Sequence, residues 1–209
     1  MTVLRVAHDV WALARTRVGG AVAVRPVRPV HPDDAVAAAG MAGWRAAEFL
    51  AGRAVLRELL SAVAPEAAEA KVRAGAYGKP GLEGFPGIAV SVAHDRDTVT
   101  ACAARGPAVG VDVQRAPGRL DDAVVRRCLR GRSDWQAVLD ALPGPERARE
   151  FAWIWTAQEA CVKAEGLARG PWTVGVPPGR HTGTWRGLRW RSLRSLSRTP
   201  LSCAWKEPS

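Results

Sequence analysis

Glu159 and Lys163 sit four residues apart, and Phe151 and Trp155 precede them at the same spacing in Phe151-Ala-Trp-Ile-Trp-Thr-Ala-Gln-Glu-Ala-Cys-Val-Lys163. On a helix such a row runs up one side. Two large aromatics want burial, and a carboxylate and an ammonium follow on nearly the same side. A buried carboxylate is costly unless it is paired or holds a metal. The row therefore reads either as a surface Glu–Lys pair of the weak, common kind or as the floor of a site. Asp112 offers a second carboxylate. In Ala108-Val-Gly-Val-Asp-Val-Gln114 a period of two puts Val109, Val111 and Val113 on one face, and Gly110, Asp112 and Gln114 on the other. An acid between valines is unusual in a plain core strand, and Gly110 leaves room for something to approach. Lys79 lies in Tyr77-Gly-Lys-Pro80 with Gly81 and Gly84 close behind. Glycine permits close backbone approach and proline fixes the exit, so this lysine is placed to meet either a phosphate or solvent. His94 opens the turn His94-Asp-Arg-Asp97.

The elements that must position these groups follow from pattern. Pro145 after Gly144, Glu146 in the first turn and Gly166 at the stop predict one helix through the aromatic row. A second long helix is predicted over 42–63. Phe49, Leu50, Leu56, Leu59 and Leu60 mark its apolar side, and Arg45 and Arg53 are candidates to line an anion site. Short apolar runs at 2–7 and 20–30 predict strands, His31-Pro-Asp-Asp34 a turn and helix start, and 66–74 a short helix. Residues 87–93 alternate as a strand, 98–104 return as its hairpin partner, and 108–114 form a third strand. Between 115 and 143 the chain is more polar. Arg126, Arg127, Arg130 and Arg132 surround Leu129, ahead of an amphipathic segment at Trp135–Leu142. After a Pro/Gly-rich connection at 170–178, residues 181–206 read as two or three strands with Trp185, Trp190 and Trp205 among arginines. Thr100-Ala-Cys-Ala-Ala-Arg105 is echoed by Leu201-Ser-Cys-Ala-Trp-Lys206, and each closes a run of long helix then strands. The expected class is α+β: two similar lobes related by a pseudo-twofold, 1–107 and 108–209, each a small, mostly antiparallel sheet packed with a long helix.

The net charge is +10, with most of the excess in the second half, so nucleic acid, anionic cofactors or acidic proteins are the partners it attracts. Arg/Trp alternation also suits single-stranded nucleic acid, although a strand with one apolar and one solvated face explains it more simply. Most of the basic residues are arginine, which sets apart the four lysines, Lys71, Lys79, Lys163 and Lys206. Cys102, Cys128, Cys161 and Cys203 are far apart without CxxC spacing and support neither a zinc site nor a disulfide framework. No uncharged run approaches the ~20 residues of a membrane helix, and the charged N-terminus does not read as a signal peptide. A cytoplasmic protein is expected.

In this order, Tyr77-Gly-Lys-Pro80 with Ser91-Val-Ala-His94-Asp95, then Gly110-Val-Asp-Val-Gln114, then Trp155-Thr-Ala-Gln-Glu-Ala-Cys-Val-Lys163 with Glu165-Gly166-Leu167, resemble the 4′-phosphopantetheinyl transferases of the surfactin-synthetase-activating type, in the holo-acyl-carrier-protein synthase-like superfamily. The resemblance implies a monomeric, Mg²⁺-dependent enzyme of fatty-acid, polyketide or peptide synthesis. It would move the phosphopantetheine arm of coenzyme A onto a serine of an acyl or peptidyl carrier protein and release 3′,5′-adenosine bisphosphate. Coenzyme A would lie between the lobes. Asp112, Gln114 and Glu159 would hold the metal, Glu159 and Lys163 would be catalytic, and Lys79, Pro80, His94 and Lys163 would hold coenzyme A, with Arg45 or Arg53 standing in for lysines that some members carry. The acidic carrier would dock over 126–142; nucleic acid and membrane are not expected partners. Gln114 stands where many members have a third acid, Ala93 where a serine is common, and Gln158 where a lysine is common. These departures imply weaker metal binding, a lost hydroxyl in the phosphate pocket and a lost cation near the phosphates. The alternative is a non-catalytic relative that binds a carrier or coenzyme A.

Overall fold

The computed structural model describes residues 2–16, 29–166 and 170–207. Most of the strand expected over 20–30 and residue Leu167 lie outside these. Strand β1 (Leu4–Ala7) turns into β2 (Val10–Thr16). The second of these has no counterpart in the sequence reading, because its three alanine and arginine positions dilute the apolar alternation. Helix α1 (Pro32–Ala38) starts where expected, with the His31 imidazole accepting the Asp33 N–H at 3.2 Å. Helix α2 (Gly43–Val63) follows, and Val55, Leu56, Leu59 and Leu60 are fully buried on it. Burying each such side chain contributes roughly 1.5–3 kcal/mol.

The short helix expected over 66–74 is not formed. One 3₁₀ turn spans Pro65–Ala67, and then Val72–Ala74 (β3) pairs antiparallel with Pro80–Leu82 (β4). The helix propensity of this alanine-rich stretch is a weak prior that pairing overrides. Arg73 grips Glu83 across the ribbon through two hydrogen bonds of 2.9 and 3.0 Å. Tyr77 and Gly78 both take positive φ at its tip.

Strands β5 (Ile88–Asp95) and β6 (Thr98–Arg105) form the expected hairpin, with β5 running on through His94 and Asp95. Next come β7 (Ala108–Val113), α3 (Asp122–Cys128), α4 (Ser133–Asp140), α5 (Gly144–Glu165), β8 (Thr182–Trp185), β9 (Leu188–Ser192) and β10 (Leu201–Lys206). The first sheet has the order β1-β2-β6-β5 and the second β7-β10-β9-β8, with every pairing antiparallel. The same unit recurs: a strand, a long helix, then a hairpin whose last strand inserts beside the first. The echoed segments are β6 and β10, the last strand of each unit.

Helix α2 covers one face of the first sheet and α5 one face of the second. The remaining faces meet in an apolar layer that includes Ala93, Cys102, Val109, Val111, Val113 and Cys203. Cys102 and Cys203, equivalent in the echo, both lie there; burial pushes the Cys102 thiol well up, and Cys203 adds to this. All four cysteines are free and buried. Trp190 and Trp205 are buried in the second sheet, while Trp185 is half-buried with the Arg186 guanidinium 5.6 Å from its ring.

Helix α1 is fastened to α2 by an ion pair that the sequence did not disclose. The Arg57 Nε donates to Asp34 Oδ2 at 2.6 Å, and its Nη1 donates to the Ala68 carbonyl at 2.8 Å. Both residues are buried. Removing one partner strands a charge, so Asp34→Ala is expected to cost about 3–5 kcal/mol. Urea denaturation checks this; the double variant Asp34→Leu/Arg57→Met should recover most of the loss.

Candidate active site

Glycine 110 decides how near α5 comes to β7. A Cβ built there would lie 2.1 Å from the Ala160 carbonyl oxygen and 2.5 Å from the Ala164 nitrogen, both backbone atoms. What the glycine makes room for is the helix itself. With the backbones this close, the next outward residue of the strand, Asp112, faces the turn of α5 that carries Glu159 and Lys163. Lys163 Nζ donates to Asp112 Oδ1 at 2.6 Å.

Helix α5 is enclosed on every other side. From Phe151 to Ala164 the residues that are not buried are Trp155, Glu159 and Lys163, one stripe at four-residue spacing. Phe151 is buried behind it, with its ring centroid 6.3 Å from that of Trp155. The helix is seated by Thr156, whose hydroxyl meets Ser202 Oγ at 2.8 Å. It stops at Gly166, where φ is +70°.

Electrostatics mark the stripe as short of positive charge. Burial pushes the Asp112 carboxyl up, the Asp95 charge adds to this, and Lys163 and the Val113 N–H pull it back. Glu159 is also raised, first by burial and then by the Asp112 charge, against Lys163. Both carboxyls stay above their ordinary values although an ammonium touches one of them.

Lys79 reaches the same end of α5 from the first half of the chain. Its Nζ donates to the Ala164 carbonyl at 2.5 Å, at the negative end of the helix. Burial holds its pKa down. Gly166 makes room, since a Cβ there would sit 3.2 Å from Lys79 Cδ. The structure thus brings together Asp112, Glu159 and Lys163, and Lys79 reaches the backbone at the C-terminal end of the same helix. Gln114 is half-buried just past β7, its N–H bonded to the Pro200 carbonyl at 3.0 Å. Pro80 is half-buried at the start of β4 and His94 is exposed near the end of β5. Arg45 is exposed in the first turn of α2. Arg53 lies over the Phe49 ring at 4.7 Å, with its Nε 3.6 Å from Asp34 Oδ1. Burial lowers its pKa despite Asp34.

Three contacts that hold the site were missed in the sequence. Ser91 Oγ accepts the Val111 N–H at 3.1 Å, joining β5 to β7. Asp95 Oδ2 accepts the Arg115 N–H at 2.5 Å, and the Arg115 guanidinium donates to Asp97 Oδ2 at 2.8 Å. Together these clamp the 94–97 turn to the exit of β7. Gln158, where a lost cation near the phosphates was expected, is fully buried and donates to the Cys128 and Val174 carbonyls, both at 2.8 Å. Ala93, where a lost pocket hydroxyl was expected, is buried in the apolar layer between the sheets. A cavity of about 590 Å³ lies at the opposite end of α5 from Lys163, between Pro117, Leu120, Pro145 and Ala148. Among the described residues no group of three His, Cys, Asp or Glu side chains is gathered closely enough to hold a metal, and no helix is long and apolar enough to cross a membrane.

Two carboxylates, one on a strand and one on a helix, thus share a half-open stripe with Lys163. Residues 108–177 match the family model of the 4′-phosphopantetheinyl transferase superfamily, so a domain of that superfamily is present. The superfamily uses coenzyme A to modify carrier proteins. The matched segment holds Asp112, Gln114, Glu159 and Lys163, whereas Lys79, Pro80, His94, Arg45 and Arg53 precede it. No curated protein matches the chain significantly.

Two outcomes follow. Gly110→Val forces α5 off β7 and is expected to cost at least about 1–3 kcal/mol in urea denaturation. A raised carboxyl binds its proton more tightly folded than unfolded, so the stability Glu159 contributes is present below the ordinary carboxylate pKa and is lost as pH rises through its raised one. The melting temperature of Glu159→Gln relative to wild type should therefore climb as pH rises above the ordinary carboxylate value of about 4.

Proposed function

We propose that this chain is a Mg²⁺-dependent 4′-phosphopantetheinyl transferase of the surfactin-synthetase-activating type, acting as a cytoplasmic monomer. It would transfer the arm of coenzyme A to a serine of an acyl or peptidyl carrier protein. The observation that carries this reading is the half-open stripe Trp155, Glu159 and Lys163 facing Asp112, inside the segment that matches the superfamily. The donor set fits the metal: two carboxylates and the Gln114 amide are oxygen donors of the kind Mg²⁺ takes in small number, and the raised carboxyls call for another cation. When bound, Mg²⁺ neutralises the diphosphate of coenzyme A.

The chain's own groups do the rest. Glu159 takes the proton of the carrier serine, directly or through water, and its raised pKa moves it toward the value a general base needs. The serine oxygen forms a bond to the β-phosphorus as the bond from that phosphorus to the departing 3′,5′-adenosine bisphosphate breaks. Lys163 stabilises the charge left on the departing phosphate. Lys79, Pro80 and His94 hold the adenosine 3′-phosphate region, with Arg45 and Arg53 as further anion partners. Coenzyme A lies between lobes 1–107 and 108–209. Arg126, Arg127 and Arg130 are exposed on α3 and just after it, which supports docking of an acidic carrier over 126–142; Arg132 is already paired with Asp134.

Incubation with coenzyme A, Mg²⁺ and several apo carriers, read by carrier mass, tests the proposal. Wild type should add one phosphopantetheine arm; none on any carrier would favour a non-catalytic binder. Asp112→Ala and Glu159→Ala should each abolish transfer, whereas Gln114→Glu should keep or raise it. Near-normal turnover in Asp112→Ala would remove Asp112 from the metal site.

A further inference from the structure

Lys163 is committed in this structure to Asp112, through a direct ion pair of 2.6 Å between Nζ and Oδ1. The Asp112 side chain is 10% exposed, so it has little room for two cations at once, while the Lys163 side chain is one-third exposed and free to swing outward. Lys79 is committed in a similar way, to the Ala164 carbonyl. Both ammonium groups that the proposed function turns toward phosphates are thus bound to acceptors of the protein itself. A ligand must detach them before it can use them.

Resting on the proposed function, we propose that Lys163 and a divalent cation compete for Asp112, and that the diphosphate of coenzyme A relieves the competition by drawing the ammonium away. The charge count supports the exchange. Asp112 and Glu159 bring two negative charges to one stripe and Lys163 returns one positive charge; the Asp95 carboxylate also acts on Asp112 but is engaged by the Arg115 N–H. A divalent ion balances both carboxylates only when the ammonium has moved to another anion. Two cations sharing Asp112 would repel each other strongly at such separations. A diphosphate accepts the displaced ammonium and favours the divalent ion as well, so coenzyme A and metal bind cooperatively. By linkage each tightens the other equally. Lys163 then has a role before any bond changes: it offsets part of the carboxylate charge until the anionic substrate arrives.

The experiment is Mn²⁺ binding to the full chain, followed by the electron paramagnetic resonance of free Mn²⁺. It is run at one pH for wild type and every variant. Lys163→Gln should bind Mn²⁺ more tightly than wild type, on the order of tenfold. Coenzyme A should tighten Mn²⁺ binding by a larger factor in wild type than in this variant. Equal or weaker Mn²⁺ binding by folded Lys163→Gln overturns the competition. Asp112→Asn should lose Mn²⁺ binding; retention overturns it too. Should Lys163→Gln fail to fold, wild type still decides. Acetylation of Lys163 by acetic anhydride, read by peptide mass, should rise when Mg²⁺ is added without coenzyme A. Unchanged or reduced labelling overturns the inference. The carrier mass assay separates the two ideas: transfer by wild type with no competition sinks only this inference, and no transfer by wild type sinks the function.

Discussion

Helix α5 touches strand β7 backbone to backbone, and the absence of a side chain at Gly110 permits it. Ordinary helix–sheet packing keeps backbones a side chain apart, which would hold Glu159 and Lys163 away from Asp112. Here the helix sinks until Ala160 and Ala164 replace the missing Cβ, and a lysine and an aspartate 51 residues apart in sequence meet at 2.6 Å. Small residues on both surfaces are therefore a requirement of the site. The aromatic and aliphatic burial around α5, from Phe151 to Val162, supplies the free energy that keeps the helix seated.

That close approach concentrates charge in a poorly solvated place. Burial raises both Asp112 and Glu159, the Asp95 charge adds to the first and the Asp112 charge to the second, and Lys163 corrects the imbalance only in part. Such an arrangement is costly for stability, and strain of this kind is commonly kept where it serves a function. It also explains why the lysines are tethered: a buried carboxylate and the negative end of a helix each favour a cation, and Lys163 and Lys79 provide one apiece.

The two halves of the chain are held in register by polar contacts at the β5–β7 seam, not only by the apolar layer. Ser91 bonds the edge of β7, and Arg115 is gripped by Asp95 through its backbone and by Asp97 through its side chain. Lys79 adds a contact from the β3–β4 ribbon to the end of α5. Substitutions that look functional in a motif turn out to be architectural. Gln158 ties α5 to the end of α3 and to the 174 segment behind the helix, away from the half-open stripe.

The α+β class, both long helices, the β5–β6 hairpin and the strand carrying Asp112 were legible in the sequence because each has a strong local period or a clear stop signal. So was the row of Phe151, Trp155, Glu159 and Lys163, since a helix fixes the side on which such spacing falls. What the row faces was not legible. Whether Glu159 and Lys163 formed a surface pair or a site floor depended on how deeply α5 settles on β7, a distance between segments that no local pattern encodes. The ion pairs Asp34–Arg57 and Lys163–Asp112 and the Arg115 clamp were hidden for the same reason. The ribbon at 72–82 was misread because its pairing outweighs the propensity of its alanines. Residue types and periods determined which side chains this protein has for chemistry; only tertiary packing, through the space left at Gly110, decided that they share one place.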